Sequence, residues 1–253
     1  MPSSQLSLIL LINKTPTMNI IITGAGSGIG YQTAKLLAQN PANKVIAISQ
    51  NPQNLQNLQT ESLQTQAIPN IIAIPFNLEN LDTISELATQ IAANFTHIDV
   101  LINNAGTLVN KPFDQITLQD LQHTYNVNTL SPYILIQTLL PMLKESNTPQ
   151  ILNISSMGGI TGTAKFAGLS AYSSSKGALA ILSECLAEEL KPHNITVNCL
   201  AIGAVSTQML NKAFPNYKAP ITPQQMAQFI SNFITNSYQF FNGKTIPVSI
   251  STP

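Results

Sequence analysis

Two side chains that could move a proton, Tyr172 and Lys176, lie four positions apart near the start of a long segment with helical periodicity. On a helix this spacing places both side chains on one face, one turn apart. A tyrosine hydroxyl has a reference pKa of about 10, and a neighbouring cation lowers such a pKa by favouring the phenolate. The pair therefore predicts acid–base chemistry, although the same spacing is common on solvated helix faces.

A glycine-rich loop lies near the other end of the chain. Residues 18–23 have the β-branched composition of a buried parallel strand, and Gly24, Gly28 and Gly30 precede a helical segment at 31–40. Strand, glycine loop and helix in this order form an anion site, because glycines let the backbone approach a pyrophosphate at the helix N-terminus. The spacing is not the commoner G-x-G-x-x-G fingerprint, and the alternative interpretation is a tight turn without a ligand.

The loop and the Tyr/Lys pair belong to a series of motifs that resembles the classical short-chain dehydrogenase/reductases, including the 3-oxoacyl-carrier-protein reductases. The resemblance extends from about residue 18 to about residue 248. Five segments carry it in the family's order: the glycine loop at 23–30, the strand end with Asn-Asn-Ala-Gly at 99–106, residues 125–128, residues 154–156, and the pair at 172 and 176.

The resemblance assigns catalytic roles to four residues. Tyr172 would be the general acid in carbonyl reduction and the general base in alcohol oxidation. Lys176 would lower the pKa of Tyr172 and hydrogen-bond the nicotinamide ribose. Ser156 would donate a hydrogen bond to the substrate oxygen, where negative charge develops. Asn128 would hold a water molecule that links Lys176 to bulk solvent.

Sixteen positions separate Ser156 from Tyr172, which is more than is usual in the family. We interpret residues 157–170, which are rich in glycine, as an insertion at the rim of the substrate pocket. Ser155 remains the alternative catalytic serine.

Cofactor preference depends on the end of the second strand, where an acidic residue would bind the ribose 2′-hydroxyl of NAD. Here Ser49 stands at that position and Gln50 follows it, so no carboxylate repels a 2′-phosphate and no basic residue binds one. The sequence weakly favours NADP(H) over NAD(H), and use of both remains open. After the sixth strand, Ile202 replaces the Pro usual in relatives, whereas Gly203, Val205 and Thr207 match the segment that clamps the carboxamide.

The predicted cofactor-binding residues share a position in a loop at the carboxyl end of a strand or on the catalytic helix. They are Gly24, Ser27, Gly28, Ile29, Gly30, Ser49, Gln50, Asn77, Leu78, Asn104, Ala105, Gly106, Tyr172, Lys176, Gly203, Val205 and Thr207.

The whole chain of 253 residues has the length of one large α/β domain. Strand-like and helical segments alternate, which predicts a doubly wound, parallel, seven-stranded sheet of Rossmann type with helices on both faces. The predicted strands lie near 18–23, 44–49, 70–75, 99–103, 149–155, 194–200 and 244–250.

The boundaries follow from the first strand. Residues 18–253 are predicted to form this single domain, and residues 1–17 an extension that is disordered or precedes the true start at Met18. The alternative is a signal peptide, because residues 6–12 are apolar, but they are too short to span a bilayer.

Composition excludes several partners. A net charge of zero and 9% charged residues leave no basic surface for nucleic acid. Cys185 and Cys199 have neither zinc spacing nor a disulfide pattern and are predicted to be core residues in a reducing compartment, which favours the cytoplasm. We expect no metal and no membrane.

The leading hypothesis is an NAD(P)-dependent oxidoreductase acting on a ketone or secondary alcohol, with an apolar lid at 208–222 over the substrate. The alternative is a dinucleotide-binding sensor or scaffold without turnover, and a sugar-nucleotide epimerase fits less well because the chain is short. The family resemblance also implies a homotetramer or homodimer, packed through helices around 115–147 and 172–192.

Overall fold

The computed structural model describes residues 17–64 and 70–250. The alternating segments form seven strands, and runs of isoleucine, valine and leucine bury the central ones on both faces. The strands are β1 (Asn19–Thr23), β2 (Lys44–Ser49), β3 (Ile71–Pro75), β4 (Val100–Asn103), β5 (Gln150–Ser156), β6 (Thr196–Ile202) and β7 (Thr245–Val248).

All neighbouring strands are parallel, in the order β3-β2-β1-β4-β5-β6-β7. The chain leaves β3 at one edge and returns to pair β4 with β1, so the strand order reverses between β1 and β4. In open α/β sheets the crevice at the carboxyl ends of two such strands is where ligands bind. The predicted doubly wound, seven-stranded fold is confirmed.

Helices cover both faces of the sheet. They are α1 (Gly28–Leu37), α2 (Pro52–Leu63), α3 (Ile84–Ala92), α4 (Leu118–Tyr125), α5 (Ser131–Lys144), α6 (Ser170–Glu189), α7 (Gln208–Ala213) and α8 (Pro223–Asn232). Short 3-10 turns lie at Leu81–Thr83, Phe113–Gln115, Met157–Gly159, Lys191–His193 and Tyr238–Phe240, and π-helical turns at Asn126–Leu130 and Phe233–Ser237.

Two apolar layers hold the helices in place. On one face, Leu37 of α1, Leu58 of α2 and Ile230 of α8 pack against the sheet, each with no more than 3% of its surface exposed. On the other face, Ile91 of α3 and Leu139 of α5 pack in the same way. The sheet therefore forms the middle layer between two layers of helices, and the loops at the ends of its strands remain available to form a binding site.

The structure tests the predictions for the two cysteines. Cys199 is buried in β6, but the prediction that Cys185 is a core residue was wrong, because it lies on the exposed side of α6. The predicted extension at 1–17 lies, except for residue 17, outside the described residues. No helix among those described is long and apolar enough to cross a membrane.

Candidate active site

The glycine loop after β1 packs directly against the loop after β4. Gly24 has a φ of +67°, which a residue with a side chain rarely adopts, and a Cβ atom there would lie 2.7 Å from the Ala105 Cα. The Thr23 hydroxyl accepts hydrogen bonds from the backbone N–H groups of Asn104 and Ala105, both at 3.0 Å. These contacts fix the two loops on either side of the crevice where the strand order reverses.

The N-terminus of α1 opens into the same crevice. Gly28 begins the helix with a φ of +58°, and Ser27 makes no side-chain capping bond, so the first backbone N–H groups are left for another acceptor. Across the crevice, the Thr207 methyl lies 3.3 Å from the position that a Gly28 Cβ would take. A helix N-terminus with this narrow approach fits a pyrophosphate group.

The end of β2 forms an uncharged polar corner. A Cβ at Gly26 would collide with the Ser49 side chain, so the glycine loop lies directly against this strand end. Asn51 caps α2 by accepting a hydrogen bond from the Asn54 N–H at 3.2 Å. No acidic or basic side chain occurs from Ser49 to Asn54, so this corner presents hydroxyl and amide groups together with the N-terminus of α2.

Lys176 lies on α6 beneath the crevice, with only 4% of its surface exposed. Its ammonium group donates a hydrogen bond to the Ile154 carbonyl of β5 at 2.8 Å. Burial lowers the pKa of Lys176 to about 8, because the charged form is poorly solvated there. Cys199 of β6 lies close enough to interact with this charge, and burial raises the pKa of its thiol to about 11.

Tyr172 is one turn before Lys176, as the spacing predicted. In the protein alone, burial raises the pKa of the Tyr172 hydroxyl, and a hydrogen bond with Ser156 acts in the opposite direction. No effect of Lys176 on this pKa is resolved, so the expected lowering by the lysine is not seen. The environment keeps the phenol protonated, the form that a general acid requires.

Asn128 is fully buried within the π-helical turn between α4 and α5. Its side-chain oxygen accepts from the Thr107 N–H at 2.8 Å, and its amide donates to the Thr107 carbonyl at 3.0 Å and to the Ser175 hydroxyl at 2.9 Å. Single π turns inside helices are frequent at functional sites. Asn128 thereby ties the loop after β4 to the helix that carries Tyr172 and Lys176.

The two serines at the end of β5 point to different partners. Ser155 is 1% exposed and donates to the Lys176 backbone carbonyl at 2.7 Å, so its hydroxyl is committed to positioning α6. Ser156 accepts from the Gly158 N–H at 3.2 Å and shares a hydrogen bond with Tyr172. This geometry favours Ser156 over Ser155 as the residue that meets a substrate.

A single cavity of about 710 Å³ connects these groups. All the predicted catalytic and cofactor-binding residues line it except Gly30 and Asn128, which lie just behind its wall. Gly203, Val205 and Thr207, from the segment after β6, line it together with Ile202. The site therefore combines the glycine loop with the Tyr/Lys pair, although 141 residues lie between Gly30 and Tyr172 in the sequence.

Two segments form the mouth of the cavity: the rim segment, residues 157–170, and the lid segment, residues 208–222. Met157, Phe166 and Leu169 of the rim line the cavity, as does Met209 of the lid. The rings of Phe166 and Phe214 meet edge to face with their centres 5.3 Å apart, which joins the two segments. The prediction of an insertion at the pocket rim is consistent with this position.

A row of three hydrogen-bonded side chains at the wall of the cavity was not predicted from the sequence. The Thr107 hydroxyl is 3.0 Å from His123 Nε2, and His123 Nδ1 is 2.9 Å from Glu79 Oε1. His123 lies on the helix that precedes Asn128, five positions earlier, but Glu79 follows β3, and no sequence pattern links them. Within residues 17–64 and 70–250, no group of three or more His, Cys, Asp or Glu residues could hold a metal ion.

This chain is similar to known short-chain dehydrogenases and reductases. The family model described as short chain dehydrogenase matches residues 18–218. A fatty acyl-CoA reductase of Acinetobacter baylyi is 32% identical over 83% of this chain and 70% of its own length. A 3-oxoacyl-[acyl-carrier-protein] reductase of Thermotoga maritima is 29% identical over 90% of this chain and 94% of its own.

The fold is also found in solved structures. A short-chain dehydrogenase from Escherichia coli CFT073, complexed with NADPH, superimposes with a TM-score of 0.83 at 27% sequence identity. The match covers 91% of this chain and 95% of the other.

Proposed function

Because the chain belongs to the short-chain dehydrogenase/reductase family and is an NAD(P)-dependent oxidoreductase of the classical type, we propose that it interconverts a ketone and a secondary alcohol with Tyr172 as the acid and base. The observation that carries the proposal is the meeting of Ser156, Tyr172 and Lys176 on the wall of the cavity that the glycine loop also lines. A protein that only bound a dinucleotide would need no buried proton-transfer group there.

Each residue has a distinct task in this reaction. A bound nicotinamide would supply the hydride in reduction and accept it in oxidation. Ser156 donates a hydrogen bond to the substrate oxygen, and Tyr172 gives this oxygen its proton in reduction or removes it in oxidation. Lys176 would return a proton to the Tyr172 hydroxyl oxygen after reduction and would hydrogen-bond the nicotinamide ribose, while Asn128 and Ser155 fix the loop and helix that carry these groups.

The glycine loop would hold the cofactor. The N-terminus of α1 would bind its pyrophosphate, and Thr207 and Val205 would contact the carboxamide at the other end of the cavity. Leu78 and Ala105, which line the cavity beside the loops after β3 and β4, would contact the adenine. The crowding of Gly24 and Gly26 by neighbouring loops supports this assignment, because a side chain at either position would displace the walls of the cleft.

We further propose a preference for NADP(H). The corner made by Ser49, Gln50 and Asn51 carries no carboxylate that would repel a 2′-phosphate, and the E. coli relative is complexed with NADPH. Hydroxyl and amide groups accept a phosphate more readily than they replace the carboxylate that binds a free ribose hydroxyl.

A nucleotide titration followed by a turnover assay tests these proposals. We expect NADPH to bind more tightly than NADH, and Tyr172→Phe to lower kcat for carbonyl reduction by about 10³-fold while nucleotide affinity is retained. Tyr133→Phe, on the exposed side of α5, is the matched control. Turnover that survives in Tyr172→Phe would disprove the assigned role, and binding without turnover on any carbonyl would favour a sensor.

We also propose a homo-oligomer in the cytoplasm. Leu118 of α4, Leu130 of the π-helical turn that follows it and Ile181 of α6 expose between 41% and 70% of their surfaces, and such exposed apolar side chains often mark a protein interface. Light scattering should show a dimer or tetramer that Ile181→Glu dissociates, and a monomeric wild-type protein would disprove this. Two free cysteines fit a reducing compartment, and cell fractionation checks the location.

A further inference from the structure

The mouth of the cavity carries positive charge and no carboxylate. The rim segment contains Lys165, the lid segment contains Lys212 and Lys218, and neither contains Asp or Glu. The whole chain has a net charge of zero, with eleven lysines and no arginine, so the rest of the molecule carries a corresponding negative excess. A charge of one sign at a cleft entrance attracts ligands of the opposite sign.

Lys212 is the cation best placed to meet a ligand. It is exposed, it lines the cavity, and within the described part of the chain its ammonium makes no hydrogen bond or ion pair. The contact between Phe166 and Phe214 brings the segment with Lys165 against the segment with Lys212.

The other lysines near the mouth are already engaged or less directly placed. The Lys165 ammonium donates to the Ile160 carbonyl at 2.7 Å and to Thr163, so it contributes charge but has no donor left. Lys111 is paired with Asp120 at 2.7 Å, which cancels its charge. The nearby acidic residue Asp120 is thus neutralised too.

The rim and lid segments and the loop after β4 also give the cavity an apolar lining. Leu108, Met157, Leu169, Met209, Leu210 and Phe214 line it. A hydrocarbon chain can contact these side chains, whereas a charged group there would lose its hydration without gaining a partner. The cavity therefore combines a reacting group, Tyr172, with apolar side chains of the rim and lid segments and an exposed cation, Lys212.

We propose that the substrate is a carbonyl compound whose apolar chain ends in an anionic group, a carboxylate or a phosphate, and that Lys212 binds this group. The inference rests on the proposed oxidoreductase activity and adds the substrate class. Lys165 and Lys218 strengthen the field, but Lys212 makes the direct contact. An exposed ion pair of this kind changes binding by about two- to five-fold.

Matched substrates test the inference. A methyl ketone on a medium-length alkyl chain that ends in a carboxylate is compared with its uncharged methyl ester and with the corresponding alkyl phosphate. The kcat/KM of each is measured with NADPH at low and high salt for the wild type, Lys212→Gln and Lys212→Arg. Lys44→Gln is the control, because Lys44 is exposed at the amino end of β2, at the opposite end of this strand from the cavity-lining Ser49.

We expect the wild type to prefer the anionic ketones over the ester, with the preference falling as salt rises. Lys212→Gln should lower kcat/KM for the anionic ketones about three-fold through KM and leave the ester unchanged, and Lys212→Arg should restore it. A preference for the carboxylate over the phosphate, or the reverse, identifies the end group.

Three outcomes would overturn the inference: equal efficiency on acid and ester in the wild type, equal losses on both in Lys212→Gln, or a loss confined to the KM of the nucleotide. Reduction of the ester alone would leave the oxidoreductase activity standing and refute only the anionic end group. If no carbonyl compound were reduced at all, the proposed function itself would fail.

Discussion

The floor of the cavity, where Lys176 and Asn128 lie, is held in place differently from its mouth, which the rim and lid segments form. On the floor, Lys176 and Asn128 are almost completely buried, and hydrogen bonds to backbone groups of β5 and of the loop after β4 fix their side chains. At the mouth, the rim and lid segments are largely exposed, and one aromatic contact joins them. Buried polar groups tolerate little change because each lost partner leaves another unsatisfied.

The floor and the mouth should therefore control different kinetic properties. A rigid floor keeps the proton-transfer groups in one geometry, so we expect changes there to act on kcat. Amino-acid substitutions in the exposed rim and lid segments should have little effect on folding, so we expect them to act on substrate preference.

The largest effect is expected at Lys176. Lys176→Met removes the ammonium and its bond to the Ile154 carbonyl, and should lower kcat by about 10³-fold. Steady-state kinetics measures this, with Lys144→Met at the end of α5 as the control. A loss confined to KM would show that the lysine only binds the ribose.

The two serines at the end of β5 should separate chemistry from stability. Ser156→Ala removes the donor to the substrate oxygen and should lower kcat about 10²-fold with little change in stability. Ser155→Ala breaks the bond to the Lys176 carbonyl and should lower the free energy of unfolding by about 1–2 kcal/mol. Kinetics and urea unfolding of both variants check this, and the opposite pattern would make Ser155 the catalytic serine.

Stability should depend on pH through the buried lysine. The pKa of Lys176 is lowered from 10.5 to about 8, so between these values the folded protein binds fewer protons at this site than the unfolded chain. The free energy of unfolding should therefore rise as the pH passes the folded pKa of about 8, by about 1 kcal/mol between pH 7 and 9. Cys199, with its pKa raised from 9.0 to about 11, opposes the rise above pH 9.

Urea unfolding at pH 7, 8 and 9 measures this dependence. Lys176→Met should lose the rise because it has no ammonium to titrate. A rise of the same size in that variant would assign the pH dependence to other groups.

The smallest effect is expected at the aromatic contact. Phe166→Ala and Phe214→Ala should each raise KM for an apolar ketone by a few fold and leave kcat nearly unchanged, because the contact shapes the mouth and does not reach Tyr172. The double variant should be little worse than either single variant, because either substitution already removes the contact between the two rings. A large loss of kcat in either single variant would show that the mouth also controls the floor.

Local patterns in the sequence were sufficient for the fold. All seven strands were predicted near their observed positions, because buried parallel strands are nearly continuous apolar runs and the turns between them are marked by glycine, proline and asparagine. The misplaced residue, Cys185, shows the limit of such patterns. Its position on α6 is typical of a core residue only if the helix is buried all round, and α6 has an exposed side.

The candidate site could be predicted where its chemistry depends on short spacing. Tyr172 and Lys176 are one helical turn apart in any helix, and the glycine loop follows directly from its strand. The choice between Ser155 and Ser156 could not be made this way. Neighbouring residues on a strand point to opposite sides, and the sequence does not state which side faces the cavity.

The doubly wound fold, the position of the glycine loop and the pairing of Tyr172 with Lys176 could all be predicted from the sequence, because each depends on periodicity within a short segment. The three-dimensional packing was needed to show that Ser155 holds α6 while Ser156 faces Tyr172, that Asn128 joins Thr107 to Ser175, and that Phe166 meets Phe214 beside Lys212. Those contacts join segments far apart in the chain, and the packing of the sheet and its helices brings them together.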